Sequence, residues 1–136
     1  MKRLFLLFIS IATLVSCDID GDDAPNFSLE ILPIQSVDVP DQFVVGEVHP
    51  ISITYIRPSG CYEFNNFIFQ NNFNTRTVAV VDTFFQDDPC TQVTEVATVS
   101  FDFTVSNTEN HIFQFFQGQD DEGQDQFLIV EVPVVE

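Results

Sequence analysis

The sequence predicts an all-β protein built as an antiparallel β-sandwich of about seven strands. Three observations carry that prediction. From residue 26 onward apolar and polar residues alternate with period two, and no stretch shows a convincing 3.6 period. The alternating stretches are filled by Val, Ile, Thr and a large share of the 16 Phe, the residue types that suit a pleated, half-buried surface. Clusters of Asn, Asp, Gly and Pro interrupt them at the short spacing of antiparallel connections.

Residues 1–16 lie outside the sandwich. Lys2 and Arg3 form a positive start, and an apolar run without charge extends from Leu4 to Val15. That pattern is a signal peptide, too short for a permanent spanning helix, the alternative reading being an uncleaved N-terminal anchor. Its expected form is a helix detached from the domain. Leu14-Val15-Ser16-Cys17 closes the run and resembles the lipobox of bacterial lipoproteins. The resemblance implies removal of 1–16 and lipidation of Cys17, and two or more acyl chains hold a protein stably in a bilayer. Residues 17–25 then form the lipidated Cys and a flexible tether, kept extended by repulsion among Asp18, Asp20, Asp22 and Asp23. An acidic run after the Cys is similar to the surface-export signal of Bacteroidota lipoproteins, which implies an outward-facing position on the outer membrane. An ordinary solvated linker on a periplasmic lipoprotein is the alternative.

Residues 26–136 form the single domain. The first strand, at 27–31, is broken by Pro33 and resumes at 36–39 before Pro40, an interrupted edge strand. A turn surrounds Gly46. The second strand covers 51–55 and stops at Pro58-Ser59-Gly60. The third runs over 61–70, with Asn71, Asn72 and Asn74 marking the turn to the fourth, 76–85. After the loop 86–89, Val99, Phe101, Phe103 and Val105 alternate with Ser100, Asp102 and Thr104 in the fifth. Residues 111–117 form the sixth strand, 118–125 an acidic connection, and 126–135 the seventh. Seven such strands suit immunoglobulin-like architecture, although the Trp of true immunoglobulin domains is absent. A small closed barrel is the other arrangement the pattern permits.

Charge narrows the classes of function. The formal net charge is −17, and a mature chain keeps only Arg57 and Arg76 against all 21 acids. Such a surface opposes nucleic acid and anionic lipid, and favours solubility and cations. A hydrophobic content of 45% argues for a packed core rather than disorder. Cys61 and Cys90, left over once Cys17 is lipidated, are an even pair in an oxidising compartment and are expected to form a disulfide; two free buried thiols are the alternative. If strand directions alternate, the loops holding Cys61, Cys90 and 118–125 share one end of the sandwich. That end would gather Asp87, Asp88, Asp120, Asp121, Glu122 and Asp125, a candidate oxygen cluster for Ca²⁺ although its spacing is not that of an EF-hand. A solvated acidic rim accounts for the same residues.

No catalytic signature is present, and no cofactor motif. His49 and His111 each begin a strand without a nucleophile at motif spacing and are expected to be surface or turn residues. Arg57 and Arg76 are each expected in an ion pair, a ligand carboxylate or phosphate being the sharper reading. With only Tyr55 and Tyr62 and no Trp, a sugar-stacking platform is disfavoured. In Phe84-Phe85 and Phe115-Phe116 one ring of each pair faces outward, a candidate protein contact. The function these observations suit is a lipid-anchored envelope surface module that binds or scaffolds. A calcium-stabilised structural domain and an accessory subunit of a hydrolase are the alternatives.

Overall fold

The computed structural model describes residues 26–86 and 89–136. The leader, Cys17, the tether, Asp87 and Asp88 lie outside the described residues. Strands and short connections account for those described residues, and no helix occurs among them. In order the strands are β1 (Phe27–Leu32), β2 (Ile34–Asp38), β3 (Phe43–Val44), β4 (Val48–Arg57) and β5 (Tyr62–Asn72). They continue as β6 (Thr75–Phe85), β7 (Glu95–Thr104), β8 (His111–Gln119), β9 (Asp125–Val132) and β10 (Val134–Val135).

β6 organises the larger sheet. Its run Val78-Ala79-Val80-Val81-Asp82 is buried throughout, because strands flank it on both sides and the second sheet covers one face. β5 pairs antiparallel along one edge, from Tyr62↔Phe84 to Asn72↔Thr75, with a bulge between Phe64 and Asn66. The other edge is shared. β1 pairs antiparallel with its second half, Phe27↔Phe85 to Leu32↔Val80, and β8 pairs parallel with its first half, Thr75↔Ile112 to Val78↔Phe115. β9 completes this five-stranded sheet on β8. The smaller sheet has the order β2-β4-β7, antiparallel throughout, and a parallel two-stranded ribbon joins β10 to β3.

The expected interruption at Pro33 is a crossing between sheets: Leu32 belongs to the larger sheet and Ile34 to the smaller, both nearly fully buried. A proline, which cannot donate to a ladder, suits the point where a strand leaves one partner for another. Gly118 meets it from β8 at φ +90°, and a Cβ there would lie 3.1 Å from the Pro33 ring. Pro133 likewise divides the last strand into β9 and β10. Ten segments therefore stand where seven were expected, and strict alternation fails at the parallel β6–β8 and β3–β10 pairs.

The core lies between the two larger sheets. Ile51, Ile53 and Tyr55 of β4 and Phe103 of β7 face Val78 and Val80 of β6 and Phe113 and Phe115 of β8, with Phe43 closing one end. Each such side chain, taken fully from water, contributes about 1.5–3 kcal/mol. The period-two pattern in β4, buried at Ile51, Ile53 and Tyr55 and more open at Ser52 and Thr54, is what places this face inward.

Candidate functional site

The outer faces of the two main sheets differ in chemistry. On the smaller sheet hydroxyls pair across strands, Ser52 with Ser100 and Thr54 with Thr98, each at 3.3 Å. Such a ladder satisfies itself and makes the middle of this face polar, with Val48, Ile56 and Val96 exposed toward its two ends. On the larger sheet Leu29, Ile31, Ile68, Phe127 and Ile129 are exposed. Register sets them on that face: Ile31 lies opposite Val81, and Ile68 opposite Ala79, one residue out of step with the core positions Val78 and Val80.

Where β1 and β8 divide the edge of β6, the face opens into a groove of about 310 Å³. Ile31, Ile68, Ala79, Phe116 and Phe127 line it, with Gln119 and Asp125 to one side. Gln119 Nε2 donates to Asp125 Oδ1 at 3.0 Å, so the one carboxylate there is already engaged. The expectation of one outward ring per adjacent Phe pair holds at β8: Phe115 is fully buried, and Phe116 faces the groove against Phe127, ring centroids 5.9 Å apart. Volume and lining match a modest apolar contact site.

The disulfide end has a second cleft. Cys61 and Cys90 are bonded, their Cα atoms 5.3 Å apart, as the redox argument expected. Gly60 donates its N–H to the Thr91 carbonyl at 2.9 Å, an approach so close that a Cβ on Gly60 would collide with the Thr91 hydroxyl. Beneath the disulfide lies a polar network. Asp82, wholly buried, accepts from the Tyr55 hydroxyl at 2.8 Å and from Arg57 Nε at 3.2 Å, and Arg57 also donates to the Tyr55 oxygen at 3.0 Å. Burial pushes the Asp82 carboxyl above its ordinary range, against the opposing pull of Tyr55 and Arg57. Burial and Asp82 together push the Tyr55 phenol up to about 12. Tyr62, donating to Glu30 at 2.8 Å, is pushed up to about 12 by burial and by that carboxylate. The Asp82 carboxylate, the Tyr55 hydroxyl and Arg57 Nε and Nη2 engage one another, so the network ties β6 of the larger sheet to β4 of the smaller. Arg57 thus finds an internal carboxylate, as the charge balance led one to expect.

Two other expectations are corrected. His111 is no surface residue: it is fully buried against the rings of Phe43 and Phe103, and neither ring nitrogen has a hydrogen-bond partner among the described residues. As the first residue of β8 its side chain shares the inward face with Phe113 and Phe115, which its position at a strand start concealed. Burial and then the charge of Arg76 hold its pKa below the ordinary histidine value, while Glu109 pulls the other way. Arg76 forms no ion pair among the described residues; its guanidinium lies 4.8 Å from the centroid of the Phe103 ring, and Nη1 donates to Asn71 Oδ1 at 2.8 Å. His49 is partly buried, and its Nε2 accepts from the Val44 N–H at 3.1 Å.

Of the acidic cluster, Asp87 and Asp88 lie outside the described residues. The β8–β9 turn is described. There Asp120 Oδ1 accepts from the N–H groups of Glu122 and Gln124, both at 2.9 Å, and Oδ2 accepts from Gln126 at 3.2 Å. Asp121 and Glu122 are exposed at its tip. Among the described residues no three His, Cys, Asp or Glu side chains converge on a point that could hold a metal ion. Comparisons with protein-family models, with curated proteins and with solved structures find no match to this chain.

Proposed function

We propose that the chain is a lipid-anchored binding module of the cell envelope, attached through Cys17, that presents the outer face of its larger sheet to a protein partner. The observation that carries this reading is the unequal chemistry of the two outer faces: one is laddered by hydroxyls, the other is apolar and grooved. The leader and the Leu14-Val15-Ser16-Cys17 resemblance support the anchor, and the acidic run behind it supports outward exposure on the outer membrane. The finer, immunoglobulin-like reading draws support from the β2-β4-β7 sheet and from the first strand's division between sheets, while the place of β6 between β5 and β8 departs from that architecture.

The test is site-specific photocrosslinking in intact cells, with a photoreactive phenylalanine at Phe127 on the grooved face or at Thr98 on the hydroxyl face. A discrete adduct from Phe127, lost in Cys17→Ala and absent from Thr98, is expected. Equal adducts from both faces, or none from Phe127, would defeat the assignment.

A further inference from the structure

Among the described residues, five strands of the two main sheets are paired on one side only, and four of them carry the devices that keep sheet edges from joining. β7 bears Glu95 and Asp102. β9 bears Asp125 and Glu131 and ends at Pro133. β2 is short, lies between Pro33 and Pro40 and ends on Asp38, and β1 bears Glu30 and ends at Pro33. β5 is the exception. It is 11 residues long, pairs with β6 alone, and is exposed along most of its length. After Glu63 it contains no charge, no Pro and no Gly, and residues 64–75 are the longest uncharged run among the described residues of a chain whose net charge is −17.

The order of its residues names the occupant. Counting outward from Ile68 in both directions gives Phe67 and Phe69, then Asn66 and Gln70, then Asn65 and Asn71. An antiparallel strand related by a twofold axis through Ile68 therefore meets β5 with its chemical equal at every position: isoleucine on isoleucine, phenyl on phenyl, carboxamide on carboxamide. Cross-strand aromatic and amide pairs of this kind are favourable. We infer that β5 is a self-pairing edge at which two copies of this chain join antiparallel about Ile68, continuing the five-stranded sheet across a twofold axis.

The surroundings fit. Phe67 and Phe69 already pack on Phe101 of β7, at 5.3 and 5.0 Å between centroids, yet Phe69 remains 49% exposed at the rim. A second copy would cover that ring with its own Phe67. The bulge between Phe64 and Asn66 interrupts the ladder at one end, limiting the pairing to the palindromic stretch. An isologous contact is self-limiting, so the product is a closed dimer rather than a fibre. The acidic remainder of each copy opposes association at long range, and salt relieves it: the screening length falls from about 30 Å at 0.01 M to about 8 Å at 0.15 M. Dimer should therefore increase with salt. The edge borders the grooved face and shares Ile68 with it; self-pairing is read from the mass of the unaltered chain, partner binding from the adduct at Phe127, so one can fail without the other.

Ile68 sits on the axis and supplies the test. The full chain carrying Ile68→Cys should give a reducible band of doubled mass on a non-reducing gel, while Val96→Cys, more open on β7 at 74% exposure against 37% for Ile68, should not. Ile68→Lys and Ile68→Glu should each be monomeric by light scattering with unchanged circular dichroism, and an equimolar mixture should regain the doubled mass. Ile129→Lys, on the grooved face away from β5, should leave the dimer intact. The inference is overturned if the unaltered chain is monomeric at all salt concentrations. It is equally overturned if Ile68→Cys crosslinks no more than Val96→Cys, or if Ile129→Lys dissociates the dimer while the Ile68 charge variants do not.

Discussion

β6 carries one charged residue toward each end of the inter-sheet core, and the two ends treat it differently. Toward the disulfide, Asp82 is wholly buried and engaged by Tyr55 and Arg57 from β4. Toward the other end, the partners of Arg76 among the described residues are Asn71 and the face of Phe103, and there neither its Nε nor either nitrogen of the neighbouring His111 has a hydrogen-bond partner. One end is tied by a covalent bond and charge-assisted hydrogen bonds. The other is held by ring packing among Phe43, Phe103, His111 and Phe113. Directional ties lose much when one member is removed, because the others are left buried and unpaired; ring packing tolerates a change of polarity that keeps the volume.

The largest expected effect is therefore at Asp82. Asp82→Ala removes the carboxylate shared by Arg57 Nε and the Tyr55 hydroxyl, leaving them only each other, and should lower unfolding free energy by roughly 3–5 kcal/mol in urea titrations, the range for breaking a buried pair. A loss below about 1 kcal/mol would show the two ends to be equivalent. Next is the disulfide: Cys61→Ala with Cys90→Ala reopens a separation of 29 residues and should cost roughly 3–4 kcal/mol in the same measurement.

At the other end the sharpest probe is pH. Burial holds the folded pKa of His111 below its value in the unfolded chain, so the unfolded chain binds the proton first as pH falls. Stability present above about pH 6.5 is then lost on acidification toward the folded value. His111→Phe, which keeps a ring and removes the titration, should flatten that fall between about pH 7 and pH 5 relative to the unaltered protein. Identical pH profiles would place the acid sensitivity elsewhere. The smallest effect is at the β5–β6 turn, where Phe73 has φ 55° and is 96% exposed. Phe73→Gly should raise stability by up to about 1 kcal/mol by removing the left-handed penalty, read as a small rise in melting temperature.

The contrast between the ends was half legible in the sequence. Two cysteines read as an even pair in an oxidising compartment led directly to Cys61–Cys90, and the scarcity of cations led to an internal partner for Arg57. Asp82 also left a signal, an acid set within Val78-Ala79-Val80-Val81 and Phe84-Phe85, where charge is tolerated only if paired. The same unbroken apolar run marks β6 as a central strand, flanked along both edges, but period-two reading treats it like any other strand. His111 escaped because turn residues precede it, although its period-two step to Phe113 and Phe115 already set it on their face. The shared edge of β6 was illegible for a different reason: which strands divide it is decided by packing at Pro33 and Gly118, far apart in sequence. The grooved face follows from that division.

The way the chain enters the domain has a mechanical consequence. Asn26 accepts from the Gln86 N–H, and Phe27 lies opposite Phe85, whose own N–H is held by the Cys61 carbonyl. A pull on the chain upstream of Asn26 thus arrives at the end of β6 beside the covalent staple and the Asp82 network. The hairpin tip at Phe73 and the ring-packed end lie at the far extremity and carry none of that load. Tension can be borne at the root while the distal end remains free to adjust to what it touches.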